Sequence, residues 1–222
     1  MGYKNILFDL DGTLTDPKIG ITKSVRYALD KMEITVESLD ELEIFIGPPL
    51  AVSFQDFYGF DEAKTNMAIE YYREYFSVTG LYENEVYAGI KELLELLTKD
   101  SKIRLFVATS KPQIFAQQIV DHFGLSSYFE YVCGSELNGT RSAKAEIIGY
   151  LLDHFNLNPE ETVMIGDRKH DIIGAHHQGI ASIAVGYGFG SREELVDIQP
   201  TYLVQNIQEL TQLLTVNQIV LS

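Results

Sequence analysis

The sequence predicts an α/β protein: a doubly wound parallel sheet with helices on both faces, interrupted by an inserted all-α segment. Three observations carry this expectation. Short, continuously apolar runs alternate with amphipathic segments of helical period, as parallel strands buried on both faces require. One stretch, from about Pro17 to Tyr82, breaks the alternation and holds no strand pattern. Finally, 45% of the 222 residues are hydrophobic and 11% aromatic, enough for a full core.

The elements follow in order. Ile6–Phe8 reads as the first strand. The insertion then shows helical patterns at Ile21–Met32, Glu37–Phe45 and Glu62–Phe76, with a Gly47-Pro48-Pro49 turn between the last two. It holds 11 of the 25 aromatic residues, so it is expected to carry a small core of its own. Gly80 and the polar run Tyr82-Glu83-Asn84-Glu85 form the expected return. Beyond it, strands are expected at Ile103–Ala108, Tyr131–Cys133, Thr162–Ile165, Ile183–Val185 and Tyr202–Val204. Helices are expected at Ala88–Thr98, Pro112–Phe123, Ala143–Phe155, Ile172–Gln178 and Ile207–Leu214. The expected domains are a core of residues 1–16 and 83–222 and a helical insert of 17–82 lying over the exit of the first strand.

Bulk properties narrow the function. Seventeen basic against 32 acidic residues give a net charge of −15, which argues against nucleic-acid polymers, whose binding rests on Lys and Arg neutralising phosphates. No stretch approaches the ~18 apolar residues of a membrane span. The single cysteine, Cys133, excludes an internal disulfide, and the chain starts a strand without an apolar leader, so a reducing, cytoplasmic setting is expected. Neither monomer nor homodimer is singled out.

The chemistry concentrates at strand ends. In Phe8-Asp9-Leu10-Asp11-Gly12-Thr13, alternation along an extended strand sends Asp9 and Asp11 the same way, at the carboxyl end where open α/β sheets bind ligands. Gly12 lets the backbone turn away without a Cβ penalty. Adjacent like charges at the rim of a core are costly unless something cationic or reactive sits there. Three later segments reach the same edge: Thr109-Ser110-Lys111-Pro112, whose hydroxyl and helix-entering N–H groups suit an anion; Lys144, opening a helix; and Gly166-Asp167-Arg168-Lys169-His170-Asp171. Asp9, Asp11, Asp167 and Asp171 together supply the hard oxygen ligands that Mg²⁺ prefers. His170, His176 and His177 lack metal-ligand spacing and read as helix-surface residues, and Cys133 as buried and inert.

Asp9-x-Asp11-Gly12-Thr13-x-x-Asp16, Thr109, Lys144 and Gly166-Asp167-x-x-x-Asp171, in this order, resemble the four motifs of the haloacid dehalogenase superfamily of phosphatases. The resemblance covers essentially the whole chain and implies a Rossmann-like core with a small helical cap. Phe45-Ile46-Gly47-Pro48-Pro49-Leu50, Ser110-Lys111-Pro112 and Tyr187-Gly188-Phe189-Gly190 are similar to its phosphoglycolate phosphatase and bacterial 5′-nucleotidase-like branch. Two departures are Ala145 after the motif lysine and Ala88 before Gly89, where proline is common in that branch.

The resemblance implies Asp9 as nucleophile, forming an aspartyl-phosphate, and Asp11 as general acid and base. Asp11, Gly12, Thr109, Ser110 and Lys144 would bind phosphate. Asp9, Asp167 and the backbone carbonyl of Asp11 would hold Mg²⁺, with Asp171 behind them, and Gly47 and Pro48 would shape specificity. The implied substrate is a small phosphomonoester, phosphoglycolate or a nucleoside 5′-monophosphate. Lys23, Arg26 and the cap aromatics are open as substrate contacts. A sugar phosphomutase and a non-catalytic phosphate-binding regulatory module remain alternatives. A dehalogenase is disfavoured, because its chemistry needs no acid at the position of Asp11.

Overall fold

The computed structural model describes residues 2–219, with side chains to Thr215. In chain order the elements are β1 (Asn5–Phe8), β2 (Thr15–Asp16), α1 (Lys18–Lys31), α2 (Leu50–Tyr58), α3 (Glu62–Tyr75), β3 (Glu85–Val86), α4 (Ile90–Leu97), β4 (Arg104–Pro112), α5 (Gln113–His122), β5 (Tyr131–Ser135), α6 (Lys144–His154), β6 (Thr162–Gly166), α7 (Lys169–His177), β7 (Ala181–Val185), α8 (Arg192–Asp197), β8 (Tyr202–Val204) and α9 (Ile207–Ile219). They form two compact units: the residues up to Thr15 together with those from Val86 onward, and Asp16–Glu85. The chain passes between the units within β2 and β3, which pair as a two-stranded ribbon.

The first unit is a six-stranded sheet of order β5-β4-β1-β6-β7-β8, with every pairing parallel. From β1 the chain winds outward one way through β4 and β5, then returns to the other side of β1 at β6. The strand order therefore reverses between β1 and β6, the switch point where a crevice opens beyond the carboxyl ends. β1 is buried throughout, and Phe8 lies level with Val107 on one side and Ile165 on the other. On one face Leu7, Phe106, Ala108, Cys133 and Met164 pack with Ile147, Ile148 and Leu151 of α6. Burying each large aliphatic side chain contributes about 1.5–3 kcal/mol.

Several expectations need adjustment. β4 extends past Ala108 to Pro112 through an irregularity in its register with β5. α7 begins at Lys169, three residues earlier than the apolar period indicates, because its first turn is polar. His170 is therefore half-buried on that turn, and burial, then Arg168 and Lys169, hold its imidazole below the ordinary value. α8 was not anticipated: six residues are too few to display a period, and only its start shows, where Ser191 Oγ accepts the Glu194 N–H at 3.1 Å.

The second unit contains α1, α2, α3, a 3₁₀ segment at Leu39–Phe45 and a π turn at Phe76–Gly80. α2 is also an addition to the expected elements. Pro48 and Pro49 mark a turn in the sequence, yet Pro49 caps this helix, which ends at Gly59 in the left-handed region. The core is aromatic: Phe45 meets Phe54 edge-on at 5.0 Å between ring centroids, Phe54 stacks on Phe60 at 5.8 Å, and Tyr72 stacks on Phe76 at 5.1 Å. Of the three tyrosines Tyr71, Tyr72 and Tyr75, only Tyr72 is fully buried, and Tyr75 hydrogen-bonds Glu83 at 3.2 Å. Among the described residues no helix is long and apolar enough to cross a membrane.

Candidate active site

Asp9 extends β1 by one residue, and its N–H donates to the Ile165 carbonyl at 2.8 Å. Its carboxylate thereby lies at the switch point beside β6. Oδ1 accepts the Leu10 N–H at 2.7 Å and meets the Lys144 ammonium at 2.7 Å. Lys144, first residue of α6, also meets Asp171 Oδ1 at 2.6 Å and donates to the Ala108 carbonyl at 2.8 Å. Three oxygens thus surround a group with three N–H donors. Two residues beyond Asp9, Asp11 pairs with a different lysine: Oδ2 lies 2.8 Å from Lys111 Nζ.

Asp167 follows the last residue of β6, on the opposite side of the crevice. Its Oδ2 accepts the Phe189 N–H at 2.8 Å, whereas Oδ1 is buried with no hydrogen-bond partner among the described residues. Asp171 lies in the first turn of α7, and its Oδ2 accepts the Arg168 N–H at 3.1 Å, so it caps the helix with one oxygen and meets Lys144 with the other. Carboxylate oxygens of Asp9, Asp167 and Asp171 lie within 4.8 Å of one another. Asp171, expected behind the metal ligands, stands level with them here, and the side chain of Asp11 stands apart on Lys111.

Glycine makes room for the Asp167 side chain at Gly12 and Gly188. Gly12 has φ +80°, and a Cβ there would fall 2.2 Å from Asp167 Oδ2. Its N–H donates to the Thr15 carbonyl at 2.8 Å, so Gly12 serves the turn and the close approach. At Gly188 a Cβ would fall 2.4 Å from both Asp167 Cβ and the Gly12 carbonyl oxygen. Any side chain at either position displaces Asp167.

The electrostatics are unresolved within the protein. Four carboxylates face two ammoniums, so full ionisation leaves two negative charges without a counterpart. Burial raises Asp11 despite Lys111, and it raises Asp167 well above the carboxylate range, helped by Asp171 and Asp9 and opposed by the Phe189 N–H. Burial likewise lifts Asp171 to about 6. Burial alone would lower Lys144, but Asp171 and Asp9 outweigh it and keep the ammonium charged. A bare oxygen of Asp167, three carboxylates at mutual bonding range of one centre and an excess of two negative charges fit a hard divalent cation.

The remaining expected residues divide between the units. Thr109 is buried at the bulged end of β4, where its Oγ1 accepts the Lys111 N–H at 3.3 Å; Ser110 offers its carbonyl to Ser135 Oγ at 3.0 Å. Gly47 and Pro48 belong to the other unit, between the 3₁₀ segment and α2. There Lys23 pairs with Glu83 at 2.5 Å and Arg26 is exposed. Two contributors escaped the sequence reading of the site. Lys111 was legible as a neighbour of Thr109 and as part of the Ser110-Lys111-Pro112 branch motif, without a role of its own. The 187–190 turn supplies the Phe189 N–H, the clearance at Gly188 and a Tyr187 hydroxyl bond to the Thr13 carbonyl at 3.0 Å, and in the sequence it carries only the branch resemblance, with no role attached.

Comparison with known proteins agrees with this geometry. The family model for haloacid dehalogenase-like hydrolases matches residues 6–185. The chain is 53% identical over 212 residues to a 5′-nucleotidase of Pseudomonas aeruginosa, covering 96% of each. It is 37% identical over 208 residues to the tyrosine-protein kinase PtkA of Mycobacterium tuberculosis, covering 94% of this chain and 70% of that one. The crystal structure of a predicted phosphatase from Clostridium acetobutylicum superimposes with a TM-score of 0.93 at 48% identity, covering 96% of this chain and 98% of that one. With two carboxylates on one strand end, a buried lysine between acids and kinship over nearly its whole length, the chain belongs to the haloacid dehalogenase-like hydrolases and is a phosphatase of that family.

Proposed function

We propose that this phosphatase hydrolyses nucleoside 5′-monophosphates in two displacements through Asp9, with Mg²⁺ bound. The observation that carries the reading is the buried cluster in which Asp9 faces Lys144, Asp167 and Asp171 while two negative charges stay uncompensated. The nucleotide is preferred to phosphoglycolate because a relative 53% identical across nearly the whole chain bears the name 5′-nucleotidase.

Asp9 attacks phosphorus in line: its oxygen bonds to phosphorus as the ester bond breaks, and water then hydrolyses the aspartyl-phosphate. Oδ1 is held by Lys144 and the Leu10 N–H, which leaves Oδ2 as the attacking oxygen. Asp11 gives a proton to the departing alkoxide and takes one from the attacking water. Thr109 and Ser110, at the bulged end of β4, and Lys144 bind the phosphoryl group. Asp9, Asp167 and the Asp11 carbonyl would hold Mg²⁺, with Asp171 beside them; when bound, the ion supplies positive charge that admits an anionic substrate and stabilises its transition state. The helical unit selects the substrate, with the Gly47–Pro48 turn as its specificity element.

The test is a panel of phosphomonoesters offered to the purified full chain with Mg²⁺, ranked by kcat/KM, with and without EDTA. Because one relative bears the name of a tyrosine-protein kinase, the assay follows the phosphoryl group itself. Inorganic phosphate is expected to accumulate stoichiometrically, fastest from nucleotides, and to cease with EDTA. Asp9→Asn is expected to lower the rate by about 10⁴-fold or more. Retained turnover in that variant removes Asp9 from the role, and a phosphorylated product without inorganic phosphate favours a mutase.

A further inference from the structure

We infer that Lys111 is the positioning residue for Asp11: its ammonium holds one carboxylate oxygen so that the other faces the reacting ester. This rests on the roles proposed above for Asp9 and Asp11. The pair is short and enclosed, with Lys111 Nζ 2.8 Å from Asp11 Oδ2 and the side chains 6% and 9% exposed. Asp11 Oδ1 is buried and has no hydrogen-bond partner among the described residues. One oxygen is therefore tethered and the other left for chemistry.

The backbone delivers Lys111 deliberately. The register of β4 with β5 slips between Ala108 and Pro112, and such irregularities re-aim side chains beside active sites. The Lys111 N–H is held by Thr109 Oγ1, the preceding carbonyl by Ser135 Oγ, and the following Pro112 fixes φ at −53°. Anchored on both sides, Lys111 reaches Asp11 beyond the adjacent strand β1. The two lysines divide the work: Lys144 meets Asp9 and Asp171, and Lys111 meets Asp11.

The consequence falls on one proton. As Asp9 bonds to phosphorus and the ester P–O bond breaks, the proton leaves Asp11 Oδ1 for the ester oxygen, and the product departs as a neutral alcohol. Water then attacks the aspartyl-phosphate, gives its proton back to Oδ1 and restores both carboxyl groups. An untethered Asp11 rotates away from this line, and a misplacement of about 1 Å costs on the order of 10²-fold. Alkoxides need that proton to leave, whereas p-nitrophenolate leaves without it.

The experiment compares the wild-type full chain, Lys111→Met, Lys111→Arg, Asp11→Asn and the Asp11→Asn/Lys111→Met double variant with Mg²⁺, on AMP and on p-nitrophenyl phosphate. Lys111→Met is expected to lower kcat on AMP by about 10²-fold at nearly unchanged KM, and on p-nitrophenyl phosphate by less than about tenfold. Lys111→Arg is expected to recover part of the AMP rate, and the double variant to lose no more than Asp11→Asn alone. Equal losses on both substrates, additive losses in the double variant, or a raised KM with kcat unchanged would overturn the proposal. Should Lys111→Met fail to fold by thermal unfolding, Lys111→Gln carries the same comparison. If Asp11→Asn itself does not distinguish the two substrates, the acid–base role of Asp11 fails first and this inference with it.

Discussion

Two lysines show how differently the two units use the same charge. Lys144 is 3% exposed and meets Asp9, Asp171 and the Ala108 carbonyl, whereas Lys23 in α1 is 35% exposed and meets Glu83. Lys23 forms a one-to-one pair that water serves almost as well. Lys144 sits in a group whose charges do not cancel and whose desolvation their attraction need not recover. The contrast extends to the cores. In Asp16–Glu85 the buried polar side chains are Thr22, Ser24, Ser53 and Thr65, none of them charged, beneath a cluster of rings. In the other unit Asp9, Asp11, Lys144, Asp167 and Asp171 are all buried. One unit is folded as stability alone prefers. The other retains a conflict that has a use only when a cation and an anionic substrate arrive.

The sharpest way to break this comparison is to remove the buried charge. Lys144→Met is expected to lower kcat by about 10²–10³-fold, because Asp9 loses both its orientation and its neighbouring cation. A fall of less than about tenfold in folded protein would take Lys144 out of the reaction, and a lowered Tm beside it would make the cluster structural.

The next effect is the response of stability to pH. Asp171 has its folded value raised to about 6 from an ordinary 3.8. Below 3.8 both states hold the proton, and between the two values the folded state alone holds it, so this contribution is present at low pH and lost as pH rises through about 6. Asp11 and Asp167, raised in the same sense, act in the same direction. Metal-free protein should therefore lose stability as pH rises through that window. Mg²⁺ competes with those protons, so the Tm increment on adding it should grow across the same range. An increment that ignores pH would place the ion elsewhere.

The smallest effect belongs to the other lysine. Lys23→Met is expected to shift Tm by no more than about 4 °C and to leave kcat/KM within about threefold. If kcat/KM for phosphoglycolate falls tenfold while that for AMP does not, Lys23 leaves Glu83 to bind a substrate carboxylate, and the two units are less distinct than they look.

Much of this was legible before any coordinates. The strands are buried on both faces and so read as apolar runs, and Asp9, Asp11 and Asp167 stand out because acids directly after such runs have no packing rationale; Asp171, in the first turn of a helix, gains its meaning from them. What escaped had a physical reason in each case. α8 spans six residues, too few for a period, and α2 lay behind two prolines that also describe a turn. Lys111 stood in a branch motif but had no role there, since the bulge that turns it towards Asp11 depends on the pairing of β4 with β5. The Phe189 N–H has no residue signature, as every residue but proline carries one.

From its one-dimensional pattern alone this chain specifies which segments become strands, that the acids emerge at their carboxyl ends and that the insert is helical, because burial and period act along the chain. Which lysine serves which acid, that Asp171 stands level with Asp9 and Asp167, and that Gly12 and Gly188 close on Asp167 arise only in three dimensions. Those relations join residues as much as 176 positions apart, between Gly12 and Gly188, and their energies depend on distance and on the exclusion of water, neither of which exists until the sheet has assembled.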